Sequence, residues 1–144
     1  MLPLMGIMHA RGFTNGKCPR CQIYKETLKH AFWSCATVKE WWNQMKAILI
    51  AWLKVTISRL TFTFGIWPEK DIDPDLLWIL QHLRYHFLWL IWSTRNHTVH
   101  TGELLFQAGL PWEKIAMKLQ EDAIIYSQQP SLHALIQQGA CKTG

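Results

Sequence analysis

"KCPRCQIYKETLKHAFWSCATVKEWW", residues 17–42, sets Cys18, Cys21, His30 and Cys35 within eighteen residues of a 144-residue chain whose one other cysteine is Cys141. The spacing is C-x2-C-x8-H-x4-C. Two thiols separated by two residues can turn back onto one ion, because Pro19-Arg20 favours a tight knuckle whose backbone N–H groups point at the sulfurs. Thr27 can cap a short helix that carries His30 round one turn later, and Cys35 just past its end completes a tetrahedral Cys3His set suited to Zn2+. Four protein ligands leave no open position, so the expected site is structural rather than hydrolytic. A redox reading of Cys18-x-x-Cys21 lacks the surrounding βαβ pattern that such motifs need. Cys141 reads as a free thiol.

Outward from this stretch the pattern is helical. Thr37-x-x-Glu40 has the form of a capping box. Behind it Val38, Trp41, Trp42, Met45, Ile48, Leu49, Trp52 and Leu53 recur at three and four residues and draw one apolar stripe. Leu60, Phe62, Phe64 and Ile66 alternate instead, broken by Gly65 and stopped by Pro68, which predicts an extended connector or one short strand. Asp73-Pro74 then supplies a cap and a first-turn proline for a long central helix to about Thr98. Asp71, Asp73 and Asp75 read as part of that helix start, not as a catalytic acidic group. Gly102 and Gly109 mark turns, Pro111 opens a helix to about Ser127, and a last short helix runs from Ser131 to Gln138. The expected fold is mostly α, a small Cys3His zinc knuckle followed by a bundle of about four to five helices. Its parts are a lead-in over 1–17, the knuckle and amphipathic helix over 18–59, the connector over 60–73, and a helical region over 74–144 packed on the first helix.

Composition narrows the function. Hydrophobic residues make up 49% and charged residues 17%, enough apolar side chain for a folded core. Nine tryptophans imply several buried indoles whose N–H groups need acceptors. The net charge is +5, but residues 1–59 carry nine Lys/Arg against two acids, and the remainder six against eight. The positive field belongs to the cysteine-bearing half, which points to a polyanion there. The start, "MLPLMGIMHARGF", lacks the features of a signal peptide, and the apolar run Leu76–Trp92 holds Gln81, His82, Arg84 and His86, which lipid would disfavour. An intracellular setting, nuclear or cytoplasmic, with reduced thiols and no membrane partner is expected.

"CPRCQIYKETLKHAFWSC" followed by a tryptophan-bearing helix resembles the zinc-binding domain found downstream of the reverse transcriptase in LINE-type, non-LTR retrotransposon proteins. That family shows a C-x-x-C pair, a Glu-Thr-x-x-His segment and a cysteine five residues on, matched by Cys18, Cys21, Glu26-Thr27, His30 and Cys35. "FGIWPEKD" and "LWLIWSTRNHTVHTGE" are similar to the stretch that follows, where a long helix ends in Trp-x-x-Arg-Asn, here Trp92, Arg95 and Asn96. The likeness covers about residues 12–103. It implies a fragment or stand-alone relative without the catalytic parts, since no Tyr-x-Asp-Asp polymerase signature and no endonuclease cluster is present. The expected function is a non-enzymatic grip on template RNA or target DNA. Arg20, Lys25 and Lys29 would face phosphates and Trp33 would stack on a base, with other regions of a retrotransposon polyprotein as further partners. Core packing is the competing role for Phe32 and Trp33, and capping of carbonyls for Arg95-Asn96. His82 and His86 lie one turn apart but lack a nearby acid or cysteine in the sequence, so they read as ordinary histidines. The alternative functions are a zinc-stabilised protein-interaction domain and a decayed element fragment.

Overall fold

The computed structural model describes residues 16–65, 67 and 72–141. The lead-in with Gly6 and Gly12, the residues Ile66, Pro68 and Asp71, and the side chain of Cys141 lie outside the described residues. The fold is mostly α, and the cysteine cluster precedes the main helices. A one-turn π-helix, His30–Ser34, is followed by α1 (Ala36–Leu53), α2 (Arg59–Phe64), α3 (Pro74–Thr101), α4 (Trp112–Tyr126) and α5 (Pro130–Cys141). Among the described residues there is no strand, only an isolated antiparallel bridge between Lys17 and Lys25.

The stripe expected on α1 is present. Val38, Trp41, Trp42, Met45, Leu49 and Trp52 are buried, and Ile48 and Leu53 half-buried. The helix starts one residue before Thr37, and the Cys35 carbonyl accepts the Lys39 N–H at 2.8 Å, so a cysteine of the cluster stands at the helix start.

Residues 59–64 are not extended. Ser58 accepts the Thr61 N–H at 3.1 Å as an N-cap, and Gly65, at φ +68°, donates to the Thr61 carbonyl at 2.8 Å as the left-handed stop. These two caps define α2. The apolar alternation misled because Leu60 and Phe64 stay exposed and only Phe62 is buried in that helix. Arg84 then covers the C-terminal end of α2 by donating to the Thr63 carbonyl at 3.1 and 2.6 Å.

Helix α3 begins as its sequence predicts, with Asp73 Oδ2 accepting the N–H groups of Asp75 and Leu76 at 3.1 and 3.2 Å. Asp75 accepts the Ser131 hydroxyl at 2.6 Å. Both carboxylates are thus occupied in structure at a helix start. The helix runs past Thr98 to Thr101 and stops at Gly102, φ +75°. No helix among the described residues is long and apolar enough to cross a membrane.

By backbone proximity the chain divides into two compact units, whose limits fall inside α1 and α3. Among the described residues, unit 1 takes in 16–43 and Leu88–Leu110, and unit 2 takes in those of Gln44–Phe87 and 111–141. In unit 2 the indoles of Trp52 and Trp112 meet edge to face at 5.7 Å. Their N–H groups donate to the carbonyls of Leu135 and Gly139 at 2.8 and 3.1 Å. Gly139 is required there, since a Cβ would lie 2.4 Å from the Trp52 ring. Leu80, Leu83, Leu119, Leu132 and Ile136 are among the other side chains buried in this unit. Each such side chain contributes about 1.5–3 kcal/mol through burial.

Candidate metal centre

The cysteine cluster belongs wholly to unit 1. Its first half is a reversed turn in which the Cys18 N–H donates to the Tyr24 carbonyl at 2.8 Å, and Gln22 N–H to the Cys18 carbonyl at 2.9 Å. Gln22 takes a left-handed φ of 59° to close it. The Cys18 sulfur accepts backbone N–H groups of Cys21 and Arg20, the knuckle geometry expected from C-P-R-C. In the second half Thr27 Oγ1 accepts the His30 N–H at 3.1 Å, as a cap should. The turn then widens to π geometry, and the Cys35 N–H reaches the His30 carbonyl at 3.0 Å. That extra residue per turn returns Cys35 to the cluster.

The four ligand atoms all lie within 4.8 Å of one another. Cys18 Sγ and Cys35 Sγ are 4.0 Å apart, and Cys21 Sγ is 3.3 Å from His30 Nε2. A disulfide is excluded at that separation. Tetrahedral coordination with metal–sulfur bonds of about 2.3 Å sets sulfurs about 3.8 Å apart, so these donors fit a metal ion as they stand. Cys18, Cys35 and His30 are buried and Cys21 is partly exposed, which leaves one side for entry.

The thiols are prepared for deprotonation unequally. A hydrogen bond from Cys18, the Thr37 backbone N–H and the Arg20 charge together outweigh burial and lower the Cys35 pKa to about 7. Cys18, donor in that pair and buried, is pushed up. Metal binding should therefore displace the Cys18 proton throughout the neutral range. Below pH 7 it must also displace one from Cys35, so affinity is expected to fall more steeply below that pH than above it. Competition with a chromophoric chelator between pH 6 and 8 reads the affinity slope directly.

Arg20 does not face solvent. It is 7% exposed, and its guanidinium donates to the Ala31 carbonyl at 3.3 Å, to the Ile91 carbonyl, and to Thr94 Oγ1 at 3.0 Å, with Trp41 5.6 Å away on its flank. The expectation that it meets phosphate is corrected: its donors are consumed in tying the knuckle to α3. A divalent ion with three thiolates and a neutral imidazole carries a net charge of −1, and Arg20 is the buried cation nearest in sequence to balance it. Lys25 and Lys29 are exposed, and Trp33 is half-buried.

Arg95 is also internal. It grips Glu26 through two hydrogen bonds of 3.1 and 2.6 Å, and both side chains are fully buried. Its guanidinium lies 4.8 Å from the Trp92 ring, which stacks on Phe32 at 5.7 Å, and it donates to Asn96 Oδ1 at 2.9 Å. The Glu-Thr and Trp-x-x-Arg-Asn segments, 69 residues apart, are thus one contact.

His82 and His86, read as ordinary histidines, do have an acid beside them. Asp122 of α4 stands 2.9 Å from His82 Nδ1 and 2.5 Å from His86 Nε2, all within unit 2. No local signal announces it, because the partner comes from another helix. In comparisons with known proteins, no family model, curated sequence or solved structure matches the chain.

Proposed function

We propose that unit 1 is a zinc-stabilised, non-catalytic nucleic-acid-binding module of the kind found downstream of the reverse transcriptase in LINE-type retrotransposons. The carrying observation is the closed Cys3His set, whose soft donors and tetrahedral spacing suit Zn2+ and leave no position for a reacting ligand. The Glu26–Arg95 contact supports the family reading, since it gives the two separated motif segments one physical reason to occur together.

The binding face is then built of lysines. With Arg20, Arg95 and Glu26 internal, the field over the knuckle comes from exposed Lys17, Lys25 and Lys29, and the bridge between Lys17 and Lys25 sets two of them side by side. Tyr24, next to Lys25 in the sequence and 64% exposed, offers a stacking surface at least as accessible as Trp33.

Fluorescence anisotropy of labelled single-stranded RNA and DNA, titrated with zinc-loaded protein over a range of salt, tests the reading. Each phosphate contact contributes about −0.7 to the slope of log K against log salt. Lys25→Ala with Lys29→Ala should therefore flatten it by about 1.4 with the zinc retained. An unchanged slope overturns the proposal. Ile23 and Leu28, 68% and 65% exposed on the same segment, favour a second reading in which this face meets a protein partner. Absence of any nucleic-acid binding by folded, zinc-loaded protein would select it.

A further inference from the structure

We propose that His82, His86 and Asp122 form a second metal site, open to solvent, that takes a divalent transition ion. His82 and His86 are four residues apart on α3 and so project from one face, and Asp122 of α4 is aimed between them. His82 Nδ1, His86 Nε2 and a carboxylate oxygen of Asp122 lie within 4.8 Å of one another. Metal bonds of about 2.1 Å at tetrahedral or octahedral angles hold donor atoms roughly 3.0–3.4 Å apart. From 2.9 and 2.5 Å, the donors need to part by only a few tenths of an ångström up to about 0.9 Å.

The rings are held for this. His82 stacks on Trp78 with centroids 3.8 Å apart and planes at 17°, and Tyr85 stands edge-on to His86 at 5.3 Å. Both imidazoles meet the same carboxylate oxygen, Asp122 Oδ2, which fixes the acid between them. Access is open: the three side chains are 29%, 12% and 19% exposed for His82, His86 and Asp122.

The donor set decides the ligand. Two imidazoles and one carboxylate suit zinc, cobalt, nickel or ferrous iron, whereas calcium and magnesium call for oxygen alone. Three protein ligands also leave positions for water or a small anionic ligand, in contrast to the closed cluster of unit 1.

The test uses whole protein carrying one zinc on its thiolates, titrated with cobalt(II). A second ion should bind with weak visible bands and without the thiolate-to-cobalt charge-transfer band that marks the cysteines. Asp122→Asn and His86→Gln should each weaken this ion by more than the roughly 10–100-fold that loss of an outer-shell partner causes, while the thiolate-bound zinc stays. Should either variant unfold, proton NMR of the cobalt-loaded wild type answers instead. Two exchangeable, hyperfine-shifted imidazole N–H signals are expected, from His82 Nε2 and His86 Nδ1. Uptake of no second ion, a charge-transfer band on its binding, undiminished affinity in the variants or absence of those signals would each overturn the site.

Discussion

Cys35→Ser should cost the chain its thiolate-bound metal and, with it, the folded state of the knuckle. Cys35 is one of the four candidate ligands, the acceptor of the Thr37 N–H and the residue whose carbonyl starts α1. A serine keeps the backbone bonds but offers a poor soft donor, so the loss isolates the metal. Apparent binding free energies of structural zinc in small modules are about 10–16 kcal/mol, and in such modules binding and folding are one event. The segment 16–35 has little regular structure of its own, one isolated bridge, a π-turn and no α-helix longer than a turn, and besides the metal it is held through the Arg20 and Glu26 contacts to α3. The expected result in the variant, or in wild type treated with a strong chelator, is loss of amide-exchange protection over residues 18–35. Protection in α4 and α5 of unit 2 should persist. Metal content by mass spectrometry of the native protein should fall by one ion in parallel. Protection of the knuckle that survives removal of the metal would mean that hydrogen bonds and Arg20 suffice, and that the ion is dispensable to the fold.

Local chemistry made much of this legible. The cysteine-histidine cluster, the Thr27 cap, the Asp73 cap, the stripe of α1 and the turn at Gly102 all act over a few residues, where spacing and residue type decide. What escaped the sequence is long-range and polar. Nothing near Arg20 says that its partners are the Ile91 and Thr94 groups of α3, so a basic residue in a basic segment read as a surface charge. Asp122 is invisible from His82 and His86 for the same reason, being on a different helix. The extended reading of residues 60–66 failed differently. Alternating apolar residues imply a strand only when the alternate face is buried, and here two of them are left in solvent while local caps set the conformation.

The Glu26–Arg95 pair yields the second large effect, and one that separates stability from metal binding. Both side chains are fully buried, and the bidentate geometry, with Trp92 against the guanidinium, stabilises two charges where water cannot. Removing one partner leaves the other charge buried without its bidentate counter-ion, so Glu26→Ala or Arg95→Ala should destabilise by about 3–5 kcal/mol. Replacing both by apolar residues of similar volume, Glu26→Leu with Arg95→Met, should recover most of that loss, because neither charge then has to be desolvated. Urea denaturation of wild type, Glu26→Leu, Arg95→Met and the double variant, all zinc-loaded, gives the coupling directly as a double-mutant cycle. Glu26 lies one residue before the Thr27 cap and four before His30, so the single variants should also loosen the ligand, seen as faster exchange of the ion with added chelator. The double variant is the discriminating one. Restored stability with chelator exchange still fast would show that the pair sets the position of the His30 turn, whereas recovery of both would show that it supplies stability alone.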